Sequence, residues 1–334
     1  MMQLFLARRH VFAVVAVTGC LWSLTAARAQ NNPSALDAQV ERIAAAHQGK
    51  VALYAEDLGT RETVALHADT PVQTASVIKL AILYETLEEI RAGKASWSEP
   101  IVLKADDKVE GSGLLQFLDT PLTLTLRDVV TLMIDFSDNT ATNLMIDRLG
   151  VASVNARMES IGLSNTHLYK KIFKPATGPL PADASTFGIG KTTAREMGML
   201  IARFGQCRLS NHAPTEADRA LCSNAIEILR HQFYRDAIPR YLESLDSSGQ
   251  GTAIANKTGS LDAVRNDVAL LGSKHGLIVI SAFTYDNADH SWQSDNAGEL
   301  TIAHLAKAIV DAWAPDGLSP AAFTAPASAP GKGR

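Results

Sequence analysis

The chain has 334 residues, 46% hydrophobic and 20% charged, with a formal net charge of −4, which is typical of one large or two interleaved globular units. It contains no basic block, and this argues against a nucleic acid as partner. The nine histidines are scattered and no HExxH motif occurs, so we expect no zinc site, no other metal and no cofactor.

The first 29 residues have the pattern of a secretory signal. Arg8 and Arg9 precede an uncharged stretch at 11–27, and the tripeptide at 27–29 is a small-x-small cleavage site. A lipoprotein-type cleavage at Cys20 and an uncleaved membrane anchor are the alternatives. We expect cleavage after residue 29, which would give a periplasmic or secreted protein without a stable membrane span.

Hydrophobic periodicity predicts one helix and two strands at the start of the mature chain. Residues 33–47 form the helix, and residues 51–58 and 62–66 form the strands. From residue 76 to about residue 244 the helical period dominates. The clearest helices of this middle region are predicted at 127–136, at 140–149, and from a capping box at Thr193 and Glu196 to Phe204.

The strand pattern returns after residue 257. Strands at 268–271 and 277–284 flank a hairpin turn, a helix at 299–313 follows, and the composition of 314–334 predicts a disordered tail. Strands at both ends with helices between them predict an α/β (α+β) fold. In residues 30–313, segments 30–75 and 250–313 would share an antiparallel sheet flanked by helices. Residues 76–249 would form an all-helical lobe, with the functional site in the cleft between.

Cys207 and Cys222 are the cysteines that remain once residues 1–29 are removed, and they lie 15 positions apart. In an oxidising compartment we expect them to form a disulfide between the ends of two helices. Two independent buried thiols are the alternative.

Three short polar motifs occur in one order, 61 and then 120 residues apart: Ser76-Val77-Ile78-Lys79, Ser137-Asp138-Asn139 and Lys257-Thr258-Gly259-Ser260. Each supplies a part that acyl transfer through a covalent serine requires. Ser76 and Lys79 are spaced i and i+3, so on a helix they share a face. A lysine can activate the serine only if its pKa falls, through burial or a nearby positive charge such as that of Lys257.

This set of motifs resembles that of the penicillin-recognising serine hydrolases, and most of all that of class A β-lactamases. The segments at 110–113, 133–144 and 265–268 resemble the same family, and the similarity extends over about residues 35–312. The resemblance implies a β-lactamase/D,D-peptidase-like fold and a serine β-lactamase that acts through an acyl-enzyme.

The resemblance also implies roles for individual residues. Ser76 would be the nucleophile, and its backbone N–H would form an oxyanion hole with that of Ser260. Lys79 would be the base or a proton relay, and Ser137 would pass a proton to the departing nitrogen. The remaining implied positions are Lys257 for positive potential and Asn139, Thr258, Gly259, Ser260 and Arg265 for substrate binding. For Arg265, a solvated surface charge is the commoner interpretation.

The sequence departs from class A where that class has a glutamate that activates the deacylating water. Residues 166–175 contain no acid, and Asp183 is the next one. Lys79, free or carbamylated, Tyr169 or Asp183 could serve instead, or the acyl-enzyme could persist as in penicillin-binding proteins. The alternative function is therefore a D,D-carboxypeptidase or transpeptidase.

The expected partners follow from these two functions. The substrate would be a small-molecule β-lactam or a peptidoglycan stem peptide, and nothing in the sequence requires more than a monomer. A penicillin-binding sensor would need a tethered transmembrane transducer, and the sequence shows no second apolar span.

Overall fold

The computed structural model describes residues 34–209, 213–242 and 251–323. The predicted signal at 1–29 and its alternatives lie outside the described residues. The α-helices of the described ranges are α1 (Ala35–Ala46), α2 (Lys79–Arg91), α3 (Leu126–Asp135), α4 (Asn139–Leu149), α5 (Val151–Ser160), α6 (Ala184–Phe187), α7 (Ala194–Gly205), α8 (Glu216–Arg230) and α9 (Ala297–Trp313). The strands are β1 (Lys50–Asp57), β2 (Thr63–Leu66), β3 (Val72–Gln73), β4 (Pro100–Leu103), β5 (Leu122–Thr125), β6 (His167–Leu168), β7 (Gly190–Thr192), β8 (Ile254–Leu261), β9 (Val264–Ser273) and β10 (Gly276–Tyr285).

An antiparallel sheet in the order β2-β1-β10-β9-β8 joins the two ends of the chain, as predicted. Strand β8 lies at its edge and carries the Lys257 motif, with Lys257 opposite Val268 of β9. Strands β9 and β10 are longer than their apolar runs indicated, because their pairing continues to the hairpin turn, where Ser273 lies opposite Gly276. The sheet therefore holds the motif on an edge strand that is fixed along its whole length.

The two faces of the sheet pack into two apolar cores. One face packs against α1 and α9, with Val40, Leu53, Ile280 and Ile309 buried in the same cluster. The other face packs against α7, and this core continues into α2, α3, α4 and α8. Burial of apolar side chains on both faces is the main stabilising term of the fold.

The middle segment is mostly helical, as predicted, but it departs from an all-helical lobe in two respects. Strands β4 and β5 form a hairpin, and β6 and β7 form a three-stranded sheet with β3, which precedes this segment. Helix α7 packs on the large sheet, next to Tyr54 of β1, rather than only on other helices. These strands are two to four residues long, too short for a period-2 pattern to predict.

The capping box predicted at α7 is only half formed. The hydroxyl oxygen of Thr193 accepts a hydrogen bond from the backbone N–H of Glu196 at 3.1 Å. The carboxylate of Glu196 does not return to Thr193; it accepts hydrogen bonds from the backbone N–H of Asn165 (2.9 Å) and the hydroxyl of Thr166 (2.6 Å). This buried acid thus anchors the segment that precedes β6.

The predicted disordered tail is wrong for residues 314–323. Leu318 is buried and pairs with Ser273, and the backbone N–H of Ser319 donates to Gly272 O at 2.8 Å. Residues Pro320–Phe323 form a short 3-10 helix. Apolar contact with β9 orders a segment whose composition alone indicated none, and residues 324–334 lie outside the described residues.

The disulfide between Cys207 and Cys222 is confirmed, with 5.5 Å between their Cα atoms. Cys207 follows the end of α7, whereas Cys222 lies within α8 rather than at its end. The bridge therefore connects two helices of the second core. Across the described ranges, every helix falls short of the length and hydropathy that a bilayer-spanning segment needs.

Candidate active site

Ser76 lies in a single 3-10 turn, Ala75–Ile78, that runs directly into α2, whose first residue is Lys79. The Nζ of Lys79 lies 3.0 Å from the Oγ of Ser76. Ala75, immediately before the serine, has a φ of 44°, a strained backbone conformation for a residue with a Cβ. The turn thus places the hydroxyl on the Lys79 face, as the i, i+3 spacing predicted.

Ser137 joins the two lysines of the motifs. Its Oγ lies 3.0 Å from the Nζ of Lys79 and 3.1 Å from the Nζ of Lys257. Lys79 also donates to Ser137 O at 2.7 Å and to Asn139 Oδ1 at 3.2 Å. Ser137 has a φ of 51°, so the backbone is held in an unfavourable conformation at the point where the three motifs meet.

Asp138 lies between Ser137 and Asn139 in the sequence, and it fixes the Gly-rich loop that covers these two residues. Its carboxylate accepts from Ala141 N at 2.9 Å, which caps α4, and from Leu114 N and Leu115 N at 2.6 and 2.8 Å. Gly113 has a φ of 109°, and a Cβ there would lie 2.2 Å from the carboxyl carbon of Asp138. The Gly-rich loop therefore packs against Asp138 because position 113 lacks a side chain.

Strand β8 approaches the nucleophile closely at Gly259. A Cβ at this position would lie 2.8 Å from the backbone N of Ser76 and 2.9 Å from that of Val77. Only glycine permits this approach, which brings Thr258 and Ser260 of the strand to the same cleft as Ser76. All nine residues predicted from the motifs and from the strand after them are therefore collected around one cleft, with the two lysine ammonium groups buried beneath it.

Burial lowers the pKa of both lysines. The pKa of Lys79 falls well below its ordinary value, first because of burial and then because of the positive charge of Lys257; the charge of Asp138 opposes the shift. The pKa of Lys257 falls to about 7 through burial, and the carboxylates of Asp267 and Asp135 oppose the shift. Lys79 can thus be a neutral amine next to the Ser76 hydroxyl, which is the condition for it to accept a proton.

Asn143 holds the loop that lacks the glutamate. Its Oδ1 accepts from the backbone N–H of Ile172 at 2.8 Å, and its Nδ2 donates to Ile172 O at 2.9 Å. Ile172 and its neighbour Phe173 line the cleft. These two hydrogen bonds hold the backbone of Ile172, so the side chain at this edge of the cleft is apolar. Asn143 follows Asn139 by four residues on α4, a same-face spacing that lies outside the three motifs.

The other suggested bases for deacylation are engaged elsewhere. The hydroxyl of Tyr169 donates to Asp183 Oδ1 at 3.0 Å, and Lys191 donates to Asp183 Oδ2 at 2.6 Å. The hydrogen bond from Lys191 lowers the pKa of Asp183, and burial raises that of Tyr169. Both changes weaken these residues as bases near neutral pH, and the residues that line the cleft include neither of them.

Arg265 is buried rather than a solvated surface charge, so the commoner interpretation of this residue is wrong. Its guanidinium donates to the carbonyl oxygens of Leu261, Val264 (2.8 Å) and Ser291, and its Nε lies 3.4 Å from Glu299 Oε1. Although it borders the cleft, most of its donors are engaged by the protein itself. Its main contacts therefore connect β9 to the loop before α9.

The cleft has a volume of about 930 Å³, which is ample for a small organic molecule. The hydroxyl of Ser112, in the segment at 110–113, donates to Ser137 O at 2.8 Å, and Ser112 lines the cleft. Trp292 also lines the cleft, and no motif or period pointed to it.

Within the described residues, no three His, Cys, Asp or Glu side chains are grouped as metal ligands would be.

Comparison with known proteins agrees with this geometry. The sequence model of the β-lactamase enzyme family matches residues 35–313. A β-lactamase of Bacillus licheniformis is 24% identical over 300 residues, which cover 87% of this chain and 91% of that protein. The crystal structure of a β-lactamase from Sphaerobacter thermophilus is 29% identical, covers 83% of this chain and 96% of that one, and superposes with a TM-score of 0.70.

A second kind of relative has the same fold. A point mutant of PBP-A, solved as an acyl-enzyme complex with penicillin G, is 23% identical, covers 83% of this chain and 96% of that chain, and has a TM-score of 0.69. On the family match and the arrangement of its three motifs, the chain belongs to the β-lactamase enzyme family, as a class A-like serine hydrolase.

Proposed function

We propose that this protein hydrolyses β-lactams through an acyl-enzyme on Ser76. The observation that carries the proposal is the position of the Lys79 Nζ, 3.0 Å from both Ser76 Oγ and Ser137 Oγ. A buried amine between two hydroxyls can take a proton from one and return it through the other. A structural lysine would instead be expected to keep its charge and face a carboxylate.

The acylation step then balances as follows. Neutral Lys79 accepts the Ser76 proton as the Oγ–carbon bond forms, and collapse of the tetrahedral intermediate breaks the lactam carbon–nitrogen bond. The proton moves from Lys79 through Ser137 to the departing nitrogen. The backbone N–H groups of Ser76 and Ser260 would stabilise the oxyanion.

Charge and hydrogen bonding on β8 support binding of the substrate's carboxylate. Protonated Lys257 would provide positive potential beside Ser137, and the hydroxyls of Thr258 and Ser260 would donate to the carboxylate. Asn139, which already accepts from Lys79, would orient the amide of the acyl side chain. Gly259 would contribute because it has no side chain, which lets β8 approach Ser76 closely.

The apolar side chain at position 172 favours a second candidate function. The protein would then be a penicillin-binding protein with slow deacylation that acts on acyl-D-Ala stem peptides. Position 172 is clamped by Asn143 and faces the cleft, yet it offers no carboxylate to activate water. With Tyr169 and Asp183 engaged elsewhere, Lys79 is the base best placed to activate the deacylating water. The PBP-A mutant, solved as an acyl-enzyme with penicillin G, shares the fold.

We further propose that residues 1–29 direct export and are removed, so that the mature enzyme acts in the periplasm or outside the cell as a monomer. The disulfide between Cys207 and Cys222 supports an oxidising compartment.

The deciding experiment follows the intact mass of purified residues 30–334 mixed with excess benzylpenicillin, from seconds to hours. An adduct that forms and clears as penicillin is consumed is expected for the hydrolase. An adduct that persists would favour the penicillin-binding protein, and D-Ala release from a stem peptide would then be measured. No adduct and no consumption of penicillin, together with no release of D-Ala from a stem peptide, would overturn both.

A further inference from the structure

Trp292 is an exposed aromatic side chain at the edge of the active-site cleft. It lies in the loop between β10 and α9, borders the cleft, and is 68% exposed. A large apolar ring left in water forgoes the stabilisation that burial would supply. The indole therefore does not serve the packing of the core.

The loop that carries Trp292 is fixed without help from the ring. The carboxylate of Asp289 accepts from Ser291 N at 2.9 Å and from Ala297 N at 2.8 Å. The Nδ2 of Asn296 donates to Asp289 O at 3.1 Å and to Ser291 O at 2.9 Å. These bonds hold the residues on both sides of Trp292, so the ring is exposed on an ordered loop.

The orientation of the ring is also set. The guanidinium carbon of Arg265 lies 4.7 Å from the Trp292 ring centroid, within cation–π range. Arg265 is held in turn by the carbonyl oxygens of Leu261, Val264 and Ser291. One face of the indole is thus covered by a fixed cation, and the exposed surface belongs to the rest of the ring. A planar group can stack there without displacing any protein contact.

The position of Trp292 relative to the reacting bond follows from its neighbours. Arg265, beneath the ring, pairs across the sheet with Ser260 of the carboxylate-binding strand. Phe173 also borders the cleft and lies against Gly111, whose neighbour in the structure is the amide of Asn139. If Asn139 orients the acyl side chain, Phe173 marks the acyl side and Trp292 marks the amine side of the scissile bond.

We propose that Trp292 is a specificity-determining shelf for a planar aromatic substituent on the amine side of the scissile amide. The proposal rests on the function proposed above, because it places a substrate on Ser76. For a cephalosporin, the substituent would be the one on the six-membered ring, next to the carbon that bears the carboxylate.

The test uses two cephalosporins with the same acyl side chain, one carrying a dinitrostyryl group at that position and the other a methyl group. Second-order acylation rates are measured for the wild type, Trp292→Ala and Trp292→Phe. An aromatic stacking pair contributes up to about 1.5 kcal/mol, so Trp292→Ala should slow acylation by the dinitrostyryl compound about tenfold. The methyl compound should change less than about twofold, and Trp292→Phe should retain most of the preference.

Phe117→Ala is the matched control, because Phe117 is 77% exposed and the residues lining the cleft do not include it. Unchanged rates with both compounds in Trp292→Ala would overturn the shelf while leaving acylation of Ser76 intact. Equal losses for the two compounds would also overturn it, since the effect would then be structural. No acylation of the wild type by either compound would overturn the proposed function, and the shelf with it.

Discussion

Lys79 and Lys257 donate to the same atom, the Oγ of Ser137, at 3.0 and 3.1 Å. Two ammonium groups this close in a buried site repel each other strongly. The pKa of Lys79 is lowered by burial and by the charge of Lys257, whereas the Lys257 charge is favoured by Asp267 and Asp135. The favoured state is therefore a neutral Lys79 beside a protonated Lys257.

This pairing predicts a bell-shaped pH profile for acylation. Below the lowered pKa of Lys79 the base is protonated, so the rate falls towards acid. Lys257 is charged only below its pKa of about 7, so the rate also falls as the pH rises through that value. Stopped-flow measurement of kcat/KM against pH reports the groups of the free enzyme. An alkaline limb near the ordinary lysine value of about 10.4 would contradict the assignment.

Asp135→Asn should move the alkaline limb to lower pH. Asp135 is buried at the end of α3, its Oδ1 has no hydrogen-bond partner among the described residues, and burial raises its pKa to about 7. The Asp135 carboxyl is therefore ionised above about pH 7, where its negative charge opposes the loss of the Lys257 proton. The same rate profile checks this, with Asp147→Asn, on the surface pair with Lys171, as control. An unmoved limb would remove Asp135 from this role.

Ser76→Ala should abolish covalent labelling by penicillin, because it removes the hydroxyl that the 3-10 turn holds 3.0 Å from the Nζ of Lys79. Intact mass spectrometry measures the label. Ser164→Ala, at an exposed position, is the control and should label at the wild-type rate. Undiminished labelling of Ser76→Ala would exclude Ser76 as the nucleophile.

Ile172→Glu should accelerate deacylation by about 100-fold or more, the scale of a general base. Asn143 holds the backbone at 172, so the new carboxylate would be presented to the cleft without refolding of the loop. Decay of the acyl-enzyme mass after removal of free penicillin measures the rate. Ile172→Gln is the matched control, with the same shape and no basic charge. Equal acceleration in both variants would show that polarity, not a base, is responsible.

Loss of the disulfide should lower the free energy of unfolding by about 3 kcal/mol, the value expected for a loop of this size. Urea unfolding of the wild type with and without reductant measures the difference. The Cys207→Ala, Cys222→Ala double variant should match the reduced wild type and should not respond to reductant. A double variant as stable as the oxidised protein would show that the bridge adds nothing to stability.

The sequence predicted the fold class and the members of the site because both depend on local patterns. Amphipathic periods placed α1, α3, α4 and α9 within two residues of their ends, since a helix face buried in a core must repeat every 3.6 residues. The three motifs predicted residues that meet around one cleft, since acyl transfer needs a nucleophile, a base and a cation close together in space.

The tertiary structure decided which long-range partner each remaining side chain meets. Arg265 donates to backbone carbonyls at the end of β8 and in the loop before α9, and Glu196 binds Asn165 instead of its own helix cap. Leu318 orders a segment that composition marked as tail. Ile172 faces the cleft only because Asn143, distant in sequence, clamps its backbone. Periodicity reports the face of an element that is buried, but the partner on that face depends on packing between distant segments, which no local pattern encodes.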